Sequence, residues 1–413
     1  MSSPRSIRVT DAQLADLLST ASVRRQSQRV LTLCEQGGTA FRFRPEKLGA
    51  TTDFVLAVTK DNYPDLSKIP FHARWEHFQV GGVDRLARLD RALAGRDSTE
   101  AARAKLDLVV VSVLLDAGAG PDWSYRDADG RAYARSEGLA VASLDLFLAG
   151  AFSAEPKDPL RVDAAALRQL DADRLGRGFQ VSATNPLVGL DGRAALLRRL
   201  GDAMAARPDF FGAPGARPSG LIDWYAKQIP ARELSSDVIL RGLLLGFQDM
   251  WPARVVVNGV GFGDVWSYDL GGVNEADNLV PFHKLSQWLA YSLFEPLQLA
   301  GFTLTGAERL TGLPEYRNGG LFLDEGVLEL RDPADLERTH RPADKLIIEW
   351  RALTVAILDR LGAEARRKLG LSETELPLGK ILQGGTWAAG RRTAAKLRGG
   401  NPPLRIDSDG TVF

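Results

Sequence analysis

The segment Asp264-Val-Trp266-Ser-Tyr268-Asp269, followed by Asp277-Asn278-Leu-Val-Pro281-Phe282-His283-Lys284-Leu285, gathers carboxylates, a histidine and a lysine around a Gly-rich loop. Carboxylates can stabilise a developing cation or orient water, and a protonated neighbour can assist a leaving group. Pro281 suits the first turn of a helix because it has no N–H to leave unpaired there. Leu285, Trp288, Leu289 and Leu293 continue at helical spacing. The pattern places Asp277, His283 and Lys284 at the N-terminal end of a helix over 282–295, where the helix dipole favours an anion such as phosphate. The same residues fit a plainer description, in which Asp277 or Asn278 caps the chain and Lys284 is solvated.

Three other constellations carry reactive residue types. Glu349-Trp350-Arg351 lies in a helical pattern over 344–361 whose apolar stripe is Leu346, Trp350, Leu353, Ile357 and Leu361. Glu349 borders that stripe, where a charged residue is commonly part of a structural ion pair. Phe71-His72-Ala-Arg74-Trp75-Glu76-His77-Phe78 interleaves aromatics with His and Arg, suited to stacking on a sugar or to plain packing. Leu115-Asp116-Ala-Gly-Ala-Gly120-Pro-Asp122-Trp123-Ser-Tyr125 ends an apolar helix in a small-residue loop, a pocket wall or a simple helix stop. No GxGxxG opens a helix after a strand, and neither GxxxxGK[ST] nor GxSxG occurs.

The rest of the composition narrows the chemistry. Of 413 residues, 52 are Lys or Arg and 52 are Asp or Glu, which argues against gripping nucleic acid or an anionic membrane. The single cysteine, Cys34, removes disulfide frameworks and multi-cysteine zinc sites. On a helix, His72 and His77 would stand about 140° apart, so they do not form a His-pair metal site. Catalysis is expected on carboxylates, with no metal and no cofactor. The most apolar stretch, 108–115, falls far short of the roughly 20 residues that span a bilayer. Residues 1–8 do not read as a signal peptide, so a cytoplasmic protein is expected.

Helices must position these residues. Helical patterns occupy 9–21, 83–94, 98–115, 136–148, 164–169, 189–206, 221–225, 237–247, 282–295 and 344–361, while strands are expected only at 40–44, 54–58 and 254–257, the last before an Asn258-Gly259 turn. The fold class is mainly α: a single helical domain over 21–390 with a few short strands, an N-terminal segment over 1–20 and a basic Gly/Pro-containing tail over 391–413. The stretch 208–220 reads as a long loop inside that domain, and the tail as a solvated terminus.

The run Pro281-Phe-His-Lys-Leu-Ser-Gln-Trp288, with Asn258-Gly-Val-Gly-Phe-Gly-Asp-Val-Trp266 before it, resembles the uracil-catabolism family of bacteria and fungi long described only as a domain of unknown function. Ser112-Val-Leu-Leu-Asp-Ala-Gly-Ala-Gly-Pro-Asp-Trp123, Arg135-Ser-Glu-Gly-Leu-Ala-Val-Ala-Ser143 and Arg74-Trp-Glu-His-Phe-Gln-Val-Gly-Gly-Val-Asp-Arg85 are similar to it as well. The resemblance runs from near 20 to near 400. It implies a place downstream of the ring opening of a uracil nucleotide, on ribosylurea species. More distantly, Gly263-Asp264-Val-Trp266, Asp277-Asn-Leu-Val280-Pro281, Glu349-Trp-Arg351-Ala, and Asn185-Pro-Leu-Val with Asp191, Arg193 and Leu200-Gly201 are similar, in order, to segments of the queuosine-salvage N-glycosylases. The Tyr and Arg that follow the aspartate there are Asn278 and Leu279 here.

This second likeness implies a helical glycosylase type of fold and hydrolysis of the N-ribosidic bond of ribosylurea 5-phosphate, or of ribosylurea, to urea and the ribose product. Asp277 would stabilise the oxocarbenium-like transition state and orient water, with Glu349, Asp264 and His283 as candidates for the proton donor. Lys284, Arg351 and Arg74 would hold the phosphate, and Trp75, Trp123, Trp266 and Phe282 would line the site. The expected partners are a small phosphorylated ribosyl substrate and the cyclohydrolase-like enzyme of the same pathway. The alternatives are an amidohydrolase acting on the ureido group and a non-catalytic subunit that channels the intermediate.

Overall fold

The computed structural model describes residues 5–116, 118–213 and 215–407. Helices predominate among them, strands are short, and no helix is long and apolar enough to cross a membrane. The chain divides into two compact units, one built from residues 5–72, 253–287 and 306–407, the other from 73–252 and 288–305.

The first unit is organised on the 25-residue helix Lys345–Leu369, in which every residue from Leu346 to Leu358 is buried. A helix buried all round lies inside its layer of neighbours rather than on its surface. Here the neighbours are Thr20–Glu35, Leu48–Asn62 and Tyr316–Asp324. Gly370, in the left-handed conformation, ends it after the basic last turn Arg366, Arg367 and Lys368. The strand expected over 54–58 is instead part of Leu48–Asn62. Its threonines settle the matter: Thr51, Thr52 and Thr59 each donate to a carbonyl four residues back, so their hydroxyls are satisfied within a helix whose Val55 and Val58 are buried. The helix expected over 9–21 is two, because Thr10 and Ser19 each accept a first-turn N–H, starting Asp11–Leu17 and Thr20–Glu35 separately.

The two other strand expectations hold. Phe41–Phe43 pairs antiparallel with Leu328–Leu330. Val255–Val257 turns through Asn258 and Gly259, both at positive φ, into Val260–Phe262, the geometry of a two-residue hairpin, and also pairs parallel with Arg5–Ile7. A second hairpin, Val265–Ser267 with Leu279–Pro281, carries the reactive segment and packs with these strands around Ile7, Leu17, Val255, Val257, Phe262, Val265 and Leu279. Pro281 therefore closes a strand rather than opening a helix. The helix is Lys284–Ser292, and it is followed by a separate Phe294–Leu299. Pro296 has no N–H for the carbonyl of Ser292, and that carbonyl accepts the Trp75 indole N–H instead. The tail is not simply solvated: a π-helical turn Leu382–Thr386 leads into Trp387–Arg398, which packs on Tyr316–Asp324, and Arg405–Ile406 pairs with Thr339–His340. Residues 408–413 lie outside the described part.

In the second unit, Asp97 caps Ser98–Leu114, a mostly buried helix packed on Arg135–Leu148, while Leu190–Ala206 packs on Ala164–Arg168. The stretch 208–220 belongs wholly to this unit and holds a short helix, Pro208–Phe211, with its proline in the first turn.

Candidate functional site

Asp264 stands at the start of the second hairpin of the first unit, and its carboxylate organises part of the expected site. Arg351 grips it in a fork, at 2.7 Å to Oδ1 and 2.9 Å to Oδ2. The Trp266 indole N–H donates to Oδ1 at 2.8 Å and the Lys284 backbone N–H to Oδ2 at 2.9 Å. Burial disfavours the charge, but Arg351 and these hydrogen bonds outweigh it and hold the carboxyl down to about 2. Arg351 is 1% exposed and Asp264 12%. The guanidinium also lies 4.1 Å from the centre of the Phe282 ring. The structure thus gathers Asp264, Trp266, Phe282, Lys284 and Arg351 into one charge-paired knot.

His283 turns the chain between strand and helix at φ 49°, a conformation rare outside glycine. Its Nε2 is 2.7 Å from the carbonyl oxygen of Leu17, which can only accept, so Nε2 carries the proton. Burial lowers the pKa of the ring, leaving it neutral at physiological pH. Glu349, on the long helix, has a wholly buried side chain. Its Oε2 accepts from the Ala40 backbone N–H and its Oε1 from the Tyr268 hydroxyl, each at 2.7 Å, which fixes the approach to the strand Phe41–Phe43. Burial and the Glu349 carboxylate both raise the Tyr268 pKa.

Asp277 differs from these two carboxylates. It sits in the 3₁₀ turn Glu275–Asn278, where its Oδ2 accepts the Asn274 backbone N–H at 3.2 Å in a capping box. Its carbonyl oxygen is held by Arg29 at 2.6 Å. Among the described residues Oδ1 accepts no hydrogen bond, and Asp277 borders an open cleft of about 320 Å³ with Gln13, Asp16, Arg25, Gln26 and Arg29. A Cβ on Gly272 would stand 2.3 Å from that of Asp277, so the loop can close on the aspartate only with glycine there. Arg25 and Arg29 were not among the sequence candidates. Their signal was available, since two arginines four apart share a helix face. Arg25 pairs with Asp16, and Arg29 also bonds the Leu270 carbonyl.

Arg74, Trp75 and Trp123 belong to the second unit. Trp75 and Trp123 are core side chains whose indole N–H groups are spent on the carbonyls of Ser292 and Phe179. Arg74 is wholly buried and bonds Ser112 Oγ at 2.7 Å and Asp116 Oδ1 at 2.7 Å. Ser136 adds its hydroxyl to the same carboxylate. Arg193, also buried, donates to the carbonyls of Leu115 and Gly118 and pins the loop after Asp116. Asp116 was legible as part of a pocket wall or of a helix stop but not as the partner of an arginine, because a carboxylate before a glycine-rich loop has the same sequence signature whether or not an arginine lies beneath it. Among the described residues no three His, Cys, Asp or Glu side chains are grouped to hold a metal ion.

Comparison with known proteins places this geometry in a family. Protein urg3 of Schizosaccharomyces pombe is 44% identical over 411 residues, covering 97% of this chain and 99% of its own. Uracil catabolism protein 4 of Lachancea kluyveri is 39% identical over 432 residues, covering 96% and 98%. The family model described as a protein of unknown function, DUF1688, matches residues 16–413, which include both hairpins, the long helix and the Arg74–Asp116 cluster. The chain belongs to the DUF1688 family.

Proposed function

We propose that this protein acts in uracil catabolism by hydrolysing the N-ribosidic bond of ribosylurea 5-phosphate to urea and ribose 5-phosphate. The name of the Lachancea kluyveri relative supports the pathway. The observation that carries the reaction is the open carboxylate of Asp277: Asp264 and Glu349 have both oxygens occupied, whereas Asp277 faces a cleft flanked by two arginines. As the C1′–N bond breaks, its electron pair leaves with the ureido nitrogen and positive charge develops on the sugar. Asp277 stabilises that charge and takes a proton from the attacking water, whose oxygen becomes the new hydroxyl at C1′. Water in the cleft relays that proton from Asp277 to the departing nitrogen, so the carboxylate is restored and one water is consumed overall. Arg29 suits the phosphate, because among the described residues its charge is paired with no carboxylate and its hydrogen bonds go to neutral oxygens. The knot of Asp264 and Arg351 fixes the hairpin that presents the Asp277 turn.

Purified protein incubated with ribosylurea 5-phosphate, with products identified by mass, tests this reading. Urea and ribose 5-phosphate are expected, and Asp277→Asn should stay folded while urea release falls at least about 100-fold, the lower end for loss of a general base. Near wild-type turnover in that variant removes Asp277 from the reaction. Carbamate and ammonia as first products would make the enzyme an amidohydrolase, and binding without turnover would make it a carrier.

A further inference from the structure

We propose that the second unit carries a binding site for a neutral amide-type group, a ureide or carboxamide, built on the Arg74 guanidinium and the Asp116 carboxylate. The guanidinium is locked in place. Its Nε donates to Ser112 Oγ, which is 2.6 Å from Ser143 Oγ, and Ser143 donates in turn to the Ala140 carbonyl. Its NH1 group bonds Asp116 Oδ1 at 2.7 Å and reaches the oxygens of Ser136 at 3.3 Å. The remaining nitrogen, NH2, is buried with no partner among the described residues. An orphaned buried donor is costly, and a side chain held at three other points cannot swing to satisfy it. On the carboxylate, Oδ2 accepts among the described residues only the Ser136 hydroxyl, whose single proton is shared with Oδ1. The cluster therefore holds a spare donor on Arg74 beside an acceptor with spare capacity on Asp116.

Charge decides what such a pair accepts. The Arg74 cation faces the Asp116 and Glu137 carboxylates, the first of which also faces Arg193 and His77, so a phosphate would meet fixed negative charge at the same place. A neutral group that offers a carbonyl oxygen beside an N–H has the complementary pattern: the oxygen takes the spare guanidinium hydrogen and the N–H donates to Oδ2. The faces of Trp288, 5.7 Å from the guanidinium carbon, and Phe78, at 6.0 Å, provide apolar walls beside it. This inference rests on the pairing in the second unit and stands whether or not Asp277 hydrolyses ribosylurea.

The test titrates the full-length protein with N-methylurea, tetramethylurea and inorganic phosphate, following heat of binding and tryptophan fluorescence. N-methylurea is expected to bind one per chain. Tetramethylurea, which keeps the carbonyl but lacks the N–H, should bind at least tenfold more weakly to the wild-type protein, and phosphate should not compete. Arg74→Lys and Asp116→Asn should each weaken N-methylurea at least tenfold. Equal binding of the two ureas, or displacement of N-methylurea by phosphate, overturns the proposal even if both variants fail to fold. Unchanged affinity in a folded Asp116→Asn protein does so as well.

Discussion

Replacing Asp264 by Asn removes one charge from the middle of the first unit's knot while keeping its shape. The wild-type carboxylate accepts two guanidinium bonds, one indole bond and one backbone bond. The amide can serve at most one oxygen's share of these, and its NH₂ group would point at a guanidinium that is 1% exposed. Leaving a buried charge without its partner costs about 3–5 kcal/mol. A second route gives a smaller figure: a carboxyl held from 3.8 down to about 2 gains about 2 kcal/mol from folding at neutral pH. The loss in Asp264→Asn should therefore fall between about 2 and 5 kcal/mol at pH 7 in guanidinium chloride unfolding. Because the folded-state pKa is the lower one, the wild-type advantage is complete above about pH 5 and drains as the pH falls from there toward 2. About half of the ionisation-linked part should be gone by pH 3. A difference under about 1 kcal/mol at pH 7, or one as large at pH 3 as at pH 7, would show that this ion pair does not hold the hairpin.

Two further substitutions separate support from chemistry. Glu349→Gln presents an NH₂ group to either the Ala40 N–H or the Tyr268 hydroxyl, and chemical unfolding should show a loss of about 1–3 kcal/mol, the cost of an unmatched buried polar group; an unchanged midpoint would mean that the strand start does not depend on it. Gly272→Ala sets a methyl 2.3 Å from the Asp277 Cβ, so the turn must shift, and kcat on ribosylurea 5-phosphate should fall at least about tenfold together with a lowered melting temperature; unaltered kcat would show that the aspartate's position does not matter.

How much of this was legible in the sequence depends on what each residue answers to. The predominance of helix, the valine hairpin at Asn258-Gly259 and the helix start at Ser98 follow from local periodicity and turn chemistry, and they were readable. The stretch 54–58 misled because β-branched residues favour strands locally, whereas burial against the long helix and back-bonding threonines decide otherwise. Pro281 misled because proline suits a strand end as well as a first helical turn, and only pairing with Val265 distinguishes them. At the site, Asp264, Trp266, Phe282, Lys284 and Arg351 were named together and are found together, since strand, turn and helix bring that segment onto one face of the long helix. What spacing could not tell was which of their polar atoms would be consumed by one another.

That distinction bears on which carboxylate can react. A helix buried on all sides over 346–358 can carry Glu349 and Arg351 only if each finds partners: both Glu349 oxygens and both terminal nitrogens of the Arg351 guanidinium are hydrogen-bonded before any substrate arrives. A turn has no such constraint. Asp277 spends one oxygen on its own capping box and keeps the other, because the 3₁₀ turn lies at the edge of a cleft rather than beneath a helix. The even balance of acidic and basic residues then acquires a physical meaning: much of the charge is consumed internally, in pairs such as Asp264 with Arg351 and Asp116 with Arg74. Among the described residues pairing is incomplete at Asp277 and at the spare nitrogen of Arg74, the two positions at which we propose that a ligand completes it.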